Sequence, residues 1–339
     1  MTTPAISVTA LEKTFQVREK AAGIGGAVRS LFSPTTRPVC AIDDVSFAIE
    51  PGERVAFVGP NGAGKSTTIK ILSGILQPDA GEVRVLGLQP AKDRRSLGFR
   101  IGTVFGQRSQ LWYHLPARDA YDLLARIYEL DQAWYRNRLE ELVSSFEVGS
   151  LLDRPVRQLS LGQRMRCEIV ASLLHKPEIL FLDEPTIGLD VTAKAVIRDL
   201  VHESSTRDGS TVLLTSHDTG DMEQVCDRVI VINEGRLVLD QPVRELRRTF
   251  IRRKLVTLLT AEESIDLDLA GVRPVDRAPY RTVLEIDTSQ VEIGDVVQRA
   301  LERSKLRDLT VEDPPMEEIV QEIYRTGAAR GPDGEGVAS

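Results

Sequence analysis

The sequence predicts an α/β protein: a mainly parallel core sheet, a helical subdomain, and a small α+β domain at the C-terminal end. Three observations predict it. The apolar strand Arg54–Val58 runs straight into Gly59-Pro60-Asn61-Gly62-Ala63-Gly64-Lys65-Ser66 and then into a helix. Apolar runs recur at 179–182, 211–215 and 228–232 with helical segments between them, and strands alternating with helices imply a parallel sheet. Beyond residue 243 the pattern changes to short strands around one amphipathic helix.

In chain order, residues 5 to 15 read as a first strand ending at Phe15. An interruption follows at 16–38, in which Ile24, Ala27, Val28, Leu31 and Phe32 fall at helical spacing and predict an amphipathic helix over 24–32. The strand Val45–Ile49 comes next, and Pro51-Gly52 turns the chain into Arg54–Val58. Residues 116 to 150 are helical and fairly polar, inside a helical subdomain at about 108–175. These elements make one domain over 5–240. The second, 243–326, holds strands at 255–259, 282–286 and 309–311, a helix at 292–304, and a helix after Pro314-Pro315 through Met316, Ile319, Val320 and Ile323. The tail 327–339, rich in Gly, Ala and Pro, is expected to be disordered.

The composition excludes several classes. With 42% hydrophobic and 27% charged residues, the 339-residue chain has the balance of a soluble globular protein. No apolar run approaches the roughly 18 residues of a membrane span, and the N-terminus lacks the basic and apolar regions of a secretory signal. Cys40, Cys167 and Cys226 are far apart and lack metal-ligand spacing, which points to a reducing compartment. A formal charge of −7 argues against a broad nucleic-acid surface, so no nucleic-acid partner is expected.

The chemistry lies in four short stretches. Residues 59 to 66 fit G-x-x-x-x-G-K-[ST] in the strand–loop–helix context this motif requires. Glycines let the backbone wrap an anion, and the N–H groups of loop and helix start point at it. Lys65 is expected to hold β- and γ-phosphates, and Ser66 to ligate Mg²⁺. The strand Ile179–Leu182 ends in Asp183-Glu184, the place for a Mg²⁺-binding carboxylate and a neighbouring general base. His217 follows the strand Val212–Thr215 and reads as a sensor of the γ-phosphate. Ser160 caps the helix that begins near Arg164, making an anion site.

Taken in order, the phosphate loop, Leu159-Ser160-Leu161-Gly162-Gln163, Leu182-Asp183-Glu184-Pro185-Thr186, and a single His after a strand resemble the ATP-binding-cassette ATPases. The resemblance covers about residues 5 to 240. It implies ATP and Mg²⁺ as cofactors, a site spread over 59–66 and Thr67, and a lid glutamine at Gln107 that senses Mg²⁺. It implies that Ser160, Gly162 and Gln163 touch the γ-phosphate held by a second copy of the chain, in an ATP-sandwich dimer. Asp190, in Ile187-Gly188-Leu189-Asp190, would link the two sites, and Phe15 would stack on adenine. The family usually has Gly where Leu161 stands.

Within the family, Phe105–Trp112 and Asp308–Glu318 resemble ATPase subunits of ABC-2 type exporters, the second of them the daunorubicin-resistance type. That resemblance implies a separate integral membrane permease as partner and a peripheral position on the cytoplasmic face of the cell membrane. It places the coupling surface near Gln107 to His114, at an exposed Leu111-Trp112-Tyr113 cluster. The 24–32 stripe is similar to a short helix in polysaccharide and teichoic-acid exporter ATPases. An importer ATPase and a soluble cassette ATPase of translation or DNA repair remain the alternatives.

Overall fold

The computed structural model describes residues 3–18, 36–106, 109–216, 218–250, 253–263 and 265–312. The expected helix at 24–32, the helix after Pro315, the tail, Gln107 and His217 lie outside the described residues. The chain forms two compact units, Met1–Gln241 and Pro242–Ser339.

The first unit holds two sheets. The strands β1 (Ile6–Arg18), β2 (Thr36–Ile49) and β4 (Ala80–Val85) form an antiparallel sheet in the order β2-β1-β4. A six-stranded sheet joins β3 (Arg54–Val58), β5 (Ile101–Phe105), β6 (Ile179–Asp183), β7 (Thr211–Ser216), β8 (Arg228–Asn233) and β9 (Arg236–Pro242) in the order β5-β6-β7-β3-β8-β9. Within it β5, β6, β7, β3 and β8 run parallel. The run Val55–Val58 is buried on both faces, as are Leu180–Leu182 and Val212–Leu214. That is the burial a parallel sheet covered by helices demands.

One expectation is corrected here. The first strand does not stop at Phe15, and residues 16–18 and 36–38 do not belong to an interruption. They are strand, paired Gln16 with Pro38, Val17 with Arg37 and Arg18 with Thr36. The arms were hidden because Gln16, Val17 and residues 36–38 are exposed, leaving no buried stripe to read.

Helices fill the crossovers. α1 (Lys65–Leu72) follows the phosphate loop, and α2 (Arg94–Gly98) precedes β5. α3 (Ala117–Ile127), α4 (Gln132–Ser145) and α5 (Leu161–Leu173) form the helical subdomain. α6 (Val191–Asp208) and α7 (Thr219–Val225) flank β7. Asp131 caps α4 by accepting from Trp134 N at 2.9 Å. α6 ends at Gly209, whose left-handed φ of 70° is the usual helix stop. Arg138 on α4 is buried and pairs with the buried Asp208 at the end of α6, while also donating to the Leu173 carbonyl at 3.3 Å. A buried pair of this kind is costly to break from one side, so it fixes where α4 sits against α5 and α6.

The second unit is a four-stranded antiparallel sheet in the order β11-β12-β10-β13 with one amphipathic helix. Its strands are β10 (Arg253–Thr260), β11 (Val272–Ala278), β12 (Arg281–Asp287) and β13 (Leu306–Glu312). The helix α8 (Val243–Phe250) leads in, and α9 (Ile293–Arg303) packs Val296 and Ala300 onto Val256, Leu258, Leu284 and Ile286.

His175, just after α5, stacks on Tyr128 at 3.9 Å and 7°. Its Nε2–H donates to the Ile101 carbonyl at 2.9 Å. Burial lowers its pKa to about 4, the Ile101 bond only partly opposing this. The neutral ring is the folded form, so the unfolded chain takes up the proton first as pH falls below about 6.5. Stability should therefore drop between about pH 6.5 and 4, by at most about 3 kcal/mol from this group. Urea unfolding across that range measures it, and His175→Phe should flatten that part of the curve.

Candidate active site

The phosphate loop is shaped by close backbone contacts. Gly64 has φ 105°, and a Cβ there would lie 2.4 Å from the Ala41 carbonyl, so only glycine fits. Ala63 N donates to the Pro60 carbonyl at 3.1 Å, and Gly235 N donates to the Ala63 carbonyl at 3.2 Å. The loop is thus held from within and from the β8–β9 turn. The first turn of α1 has no intrahelical acceptors for its N–H groups. These face a cavity of about 650 Å³ lined by Asn61, Gly62, Gly64, Lys65, Ser66 and Thr67, with Asp183 and Glu184 opposite.

Lys65 is 5% exposed and folds back over the loop, donating to the Gly59 carbonyl at 2.7 Å and the Pro60 carbonyl at 3.2 Å. Its ammonium is 3.6 Å from Glu184, itself 12% exposed. Ser66 Oγ donates to Asp183 Oδ1 at 2.9 Å. A serine hydroxyl beside a carboxylate is a hard-oxygen pair that suits Mg²⁺. Among the described residues no group of three or more His, Cys, Asp or Glu could hold a metal. An ion here would complete its shell from phosphate oxygens and water, as Mg²⁺ characteristically does. Glu184 has a left-handed φ of 52°, a strained conformation for a non-glycine residue and common at functional positions.

The structure brings Asn61, Gly62, Gly64, Lys65, Ser66 and Thr67 together with Asp183 and Glu184 on one cavity, while Gly59, Pro60 and Ala63 shape the loop without lining it. It does not bring Ser160, Gly162 or Gln163 to it. Ser160 is exposed and caps α5: its Oγ accepts from Gln163 N at 3.2 Å, and Gln163 Oε1 accepts from Ser160 N at 3.0 Å. Asp190 caps α6 through Ala193 N at 2.9 Å. Phe15, half-buried on β1 opposite Val39, has the Lys13 ammonium 5.6 Å from its ring centre and does not line the cavity. Gln107 and His217 are outside the described residues. Trp112 and Tyr113 are 40% and 54% exposed, but Leu111 is buried and leaves the expected exposed cluster; Leu115, 40% exposed, continues it.

Three features were not foreseen. Glu168, buried on α5, accepts from the Ser109 hydroxyl and from Gln110 N at 2.9 Å. Burial raises its pKa, and the two bonds offset this only in part. The sequence signal was a carboxylate among Met165, Ile169 and Ser172 on the inner face of a helix. Asp221, fully buried, accepts from Thr186, Ser216 and Arg198, each at 2.6 Å. Arg198 also donates to Asp218 at 2.8 Å, and Lys194 donates to Asp218 at 2.6 Å. Burial pushes the Asp218 carboxyl up, but Lys194 and Arg198 outweigh it and hold it below its ordinary value. Both neighbours of residue 217 are anchored in this way. The third is the Thr215 hydroxyl, which lies against Asp183 and Glu184.

Comparison with known proteins gives the following. The sequence model of the ABC transporter family matches residues 42–187. The daunorubicin resistance ATP-binding protein DrrA3 of Streptomyces coeruleorubidus is 32% identical over 298 residues, 86% of this chain and 92% of that protein. The Nod factor export ATP-binding protein I of Paraburkholderia xenovorans (strain LB400) is 35% identical over 199 residues, 59% of this chain and 65% of that protein. The dimeric post-hydrolysis structure of the ATP-binding cassette MJ0796 with ADP and Pi matches with a TM-score of 0.58 and 26% identity, covering 70% of this chain and 99% of that one.

Leu161, at the start of α5, packs against the loop before α6. Gly188 there has φ 73°, and a Cβ on it would stand 3.1 Å from Leu161 Cδ2. Gly188→Ala should destabilise the first unit by about 1–2 kcal/mol through its backbone conformation alone, with the Leu161 contact adding to this. In Leu161→Gly/Gly188→Ala the contact part should disappear and the backbone part remain. A double-mutant cycle of urea unfolding reads the difference.

Proposed function

This chain belongs to the ATP-binding-cassette family of transporter ATPases, and from that premise we propose that it hydrolyses ATP as a paired subunit driving an exporter whose permease is a separate chain. The observation that carries the proposal is the meeting of Lys65, Ser66, Asp183 and Glu184 on one cavity beside the free N–H groups of α1.

In this reading the loop 59–64 and the start of α1 bind the phosphates by backbone N–H groups and the helix dipole. Lys65 turns from the Gly59 carbonyl to the β- and γ-phosphates. Ser66 and Asp183 would hold Mg²⁺, which when bound offsets the negative charge of the phosphate oxygens. Glu184 accepts the proton of the attacking water at its carboxylate. Its φ of 52° turns it out of the strand at the cavity wall, and Lys65 keeps it close. Gln107 and His217 take the lid and γ-phosphate roles that their positions in the family pattern assign.

A second copy completes the site. Ser160, exposed, and the half-buried Gly162 and Gln163 lie at a helix N-terminus that does not line their own chain's cavity, which supports their binding a phosphate held by another chain. Asp190, capping the neighbouring helix, holds the loop that would pass between the two sites. Phe15 is assigned to the adenine end. Among the described residues no helix is long and apolar enough to cross a membrane, and the solute path is assigned to a separate permease. The relatives named for daunorubicin resistance and Nod factor export support export, and the chain is assigned with it to the cytoplasmic face of the membrane.

Two outcomes test this reading. Glu184→Gln should retain ATP binding by calorimetry, lose about 10²- to 10⁴-fold in steady-state hydrolysis, and accumulate as an ATP-bound dimer in gel filtration. Wild-type turnover in that variant removes Glu184 from its role. The exposed Trp112, Tyr113 and Leu115 form the surface assigned to the permease. Trp112→Ala should reduce recovery of the tagged chain with detergent-extracted membranes while ATP affinity stays within about twofold, as expected for loss of a buried aromatic anchor at an interface.

A further inference from the structure

We propose that Thr215 is a positioning residue for hydrolysis: its hydroxyl orients the Asp183 carboxylate and pins the backbone of Glu184. The inference rests on the function proposed above and assigns a part to a residue outside the motifs that define the site.

β6 and β7 run parallel with Asp183 directly opposite Thr215. Thr215 is completely buried. Its Oγ1–H donates to Asp183 Oδ1 at 2.7 Å. The Glu184 N–H is 3.1 Å from Thr215 Oγ1 and 3.1 Å from the Thr215 carbonyl, and it is shared between them. A hydroxyl has one proton and two lone pairs. With the Glu184 N–H occupying a lone pair, the hydroxyl proton is directed to Asp183. One side chain therefore serves both acids of the site, one through its carboxylate and the other through its main chain.

Asp183 Oδ1 has a second donor, Ser66, at 2.9 Å. Ser66 belongs to the nucleotide loop and is the group that would turn toward a bound metal. Thr215 is sealed in the sheet and remains on the carboxylate, so it determines which way Asp183 offers its oxygens. The same contact steadies the left-handed turn at Glu184. Such a turn costs about 1–3 kcal/mol and persists only where its surroundings hold it. A β-branched residue is ordinary at the end of a buried strand, but valine would satisfy packing equally well. The hydroxyl is the part that packing does not require.

The test compares wild type with Thr215→Val, which keeps the shape, and Thr215→Ser, which keeps the hydroxyl. Mn²⁺ in place of Mg²⁺ is followed by electron paramagnetic resonance with ATP present, and ATP affinity is measured separately in EDTA. Removing such an outer partner typically costs about 10- to 100-fold in metal affinity or activity. Thr215→Val should weaken Mn²⁺ binding and slow hydrolysis by about that factor, leave metal-free ATP affinity unchanged, and keep a cooperative melt. Thr215→Ser should restore both. Wild-type Mn²⁺ affinity in Thr215→Val overturns the proposal, as does failure of a folded Thr215→Ser to rescue. Should the valine variant not fold, Thr215→Ala against Thr215→Ser gives the same comparison. A wild-type chain that binds no Mn²⁺ with ATP overturns the ATPase reading itself and this proposal with it.

Discussion

The register of three parallel strands is the constraint from which the site follows. Thr215 lies opposite Phe57 on one side and Asp183 on the other, and Ser216 lies opposite Val58. The phosphate loop leaves β3, β6 ends at Asp183 with Glu184 next, and β7 ends at Ser216, so the three strand ends reach the same rim. Parallel neighbours cannot be joined by tight turns. The long connections are therefore obligatory, and α1, α5 and α6 with their exposed or cavity-facing N-termini are built from them. A slip of one residue in any strand would turn an inward side chain outward and separate the lysine from the acid it faces.

Charge is concentrated where water is scarce, and each group is answered. Lys65 is answered by two carbonyls and Glu184. Asp183 is answered by two hydroxyls. Asp221 has two hydroxyls and a guanidinium, and Asp218 has an ammonium and the same guanidinium. Isolated, any of these ions would cost several kcal/mol to bury. Assembled, Asp183, Asp218 and Asp221 keep fixed partners, while Lys65 and Ser66 are the groups free to exchange theirs when a phosphate arrives; the fixed part is what supplies electrostatic preorganisation.

What the sequence revealed divides along a physical line. The phosphate loop, the acid pair and the strand before residue 217 were legible because each is contiguous and its neighbours carry the periodicity of a buried strand. The capped helix at Ser160 was legible for the same local reason. Features made by distant residues were not. Thr215 sits in an apolar run and gives no hint that its hydroxyl meets Asp183. Glu168 finds Ser109 and Gln110 across 59 and 58 residues of chain. β11 escaped notice because Pro274 sits within it, and the fold shows why that is tolerated: β11 is an edge strand. The arms of β1 and β2 were missed because they bury nothing on either face there. Leu111 was misplaced for the opposite reason, as one buried side chain at the head of an exposed run.

The contact of Leu161 with the loop at Gly188 couples two motifs through one side chain. A Cβ at 188 would stand 3.1 Å from Leu161 Cδ2, so the leucine would have to shift slightly to admit one. A smaller residue at 161 would relieve only that contact, since the left-handed φ of 73° at Gly188 disfavours any side chain there by itself. Position 188 is therefore held first by its own backbone and only second by its neighbour. Hybrids assembled by exchanging one loop with a relative inherit half of a matched pair, whereas exchanging the segment from 159 to 190 as a block carries the match along.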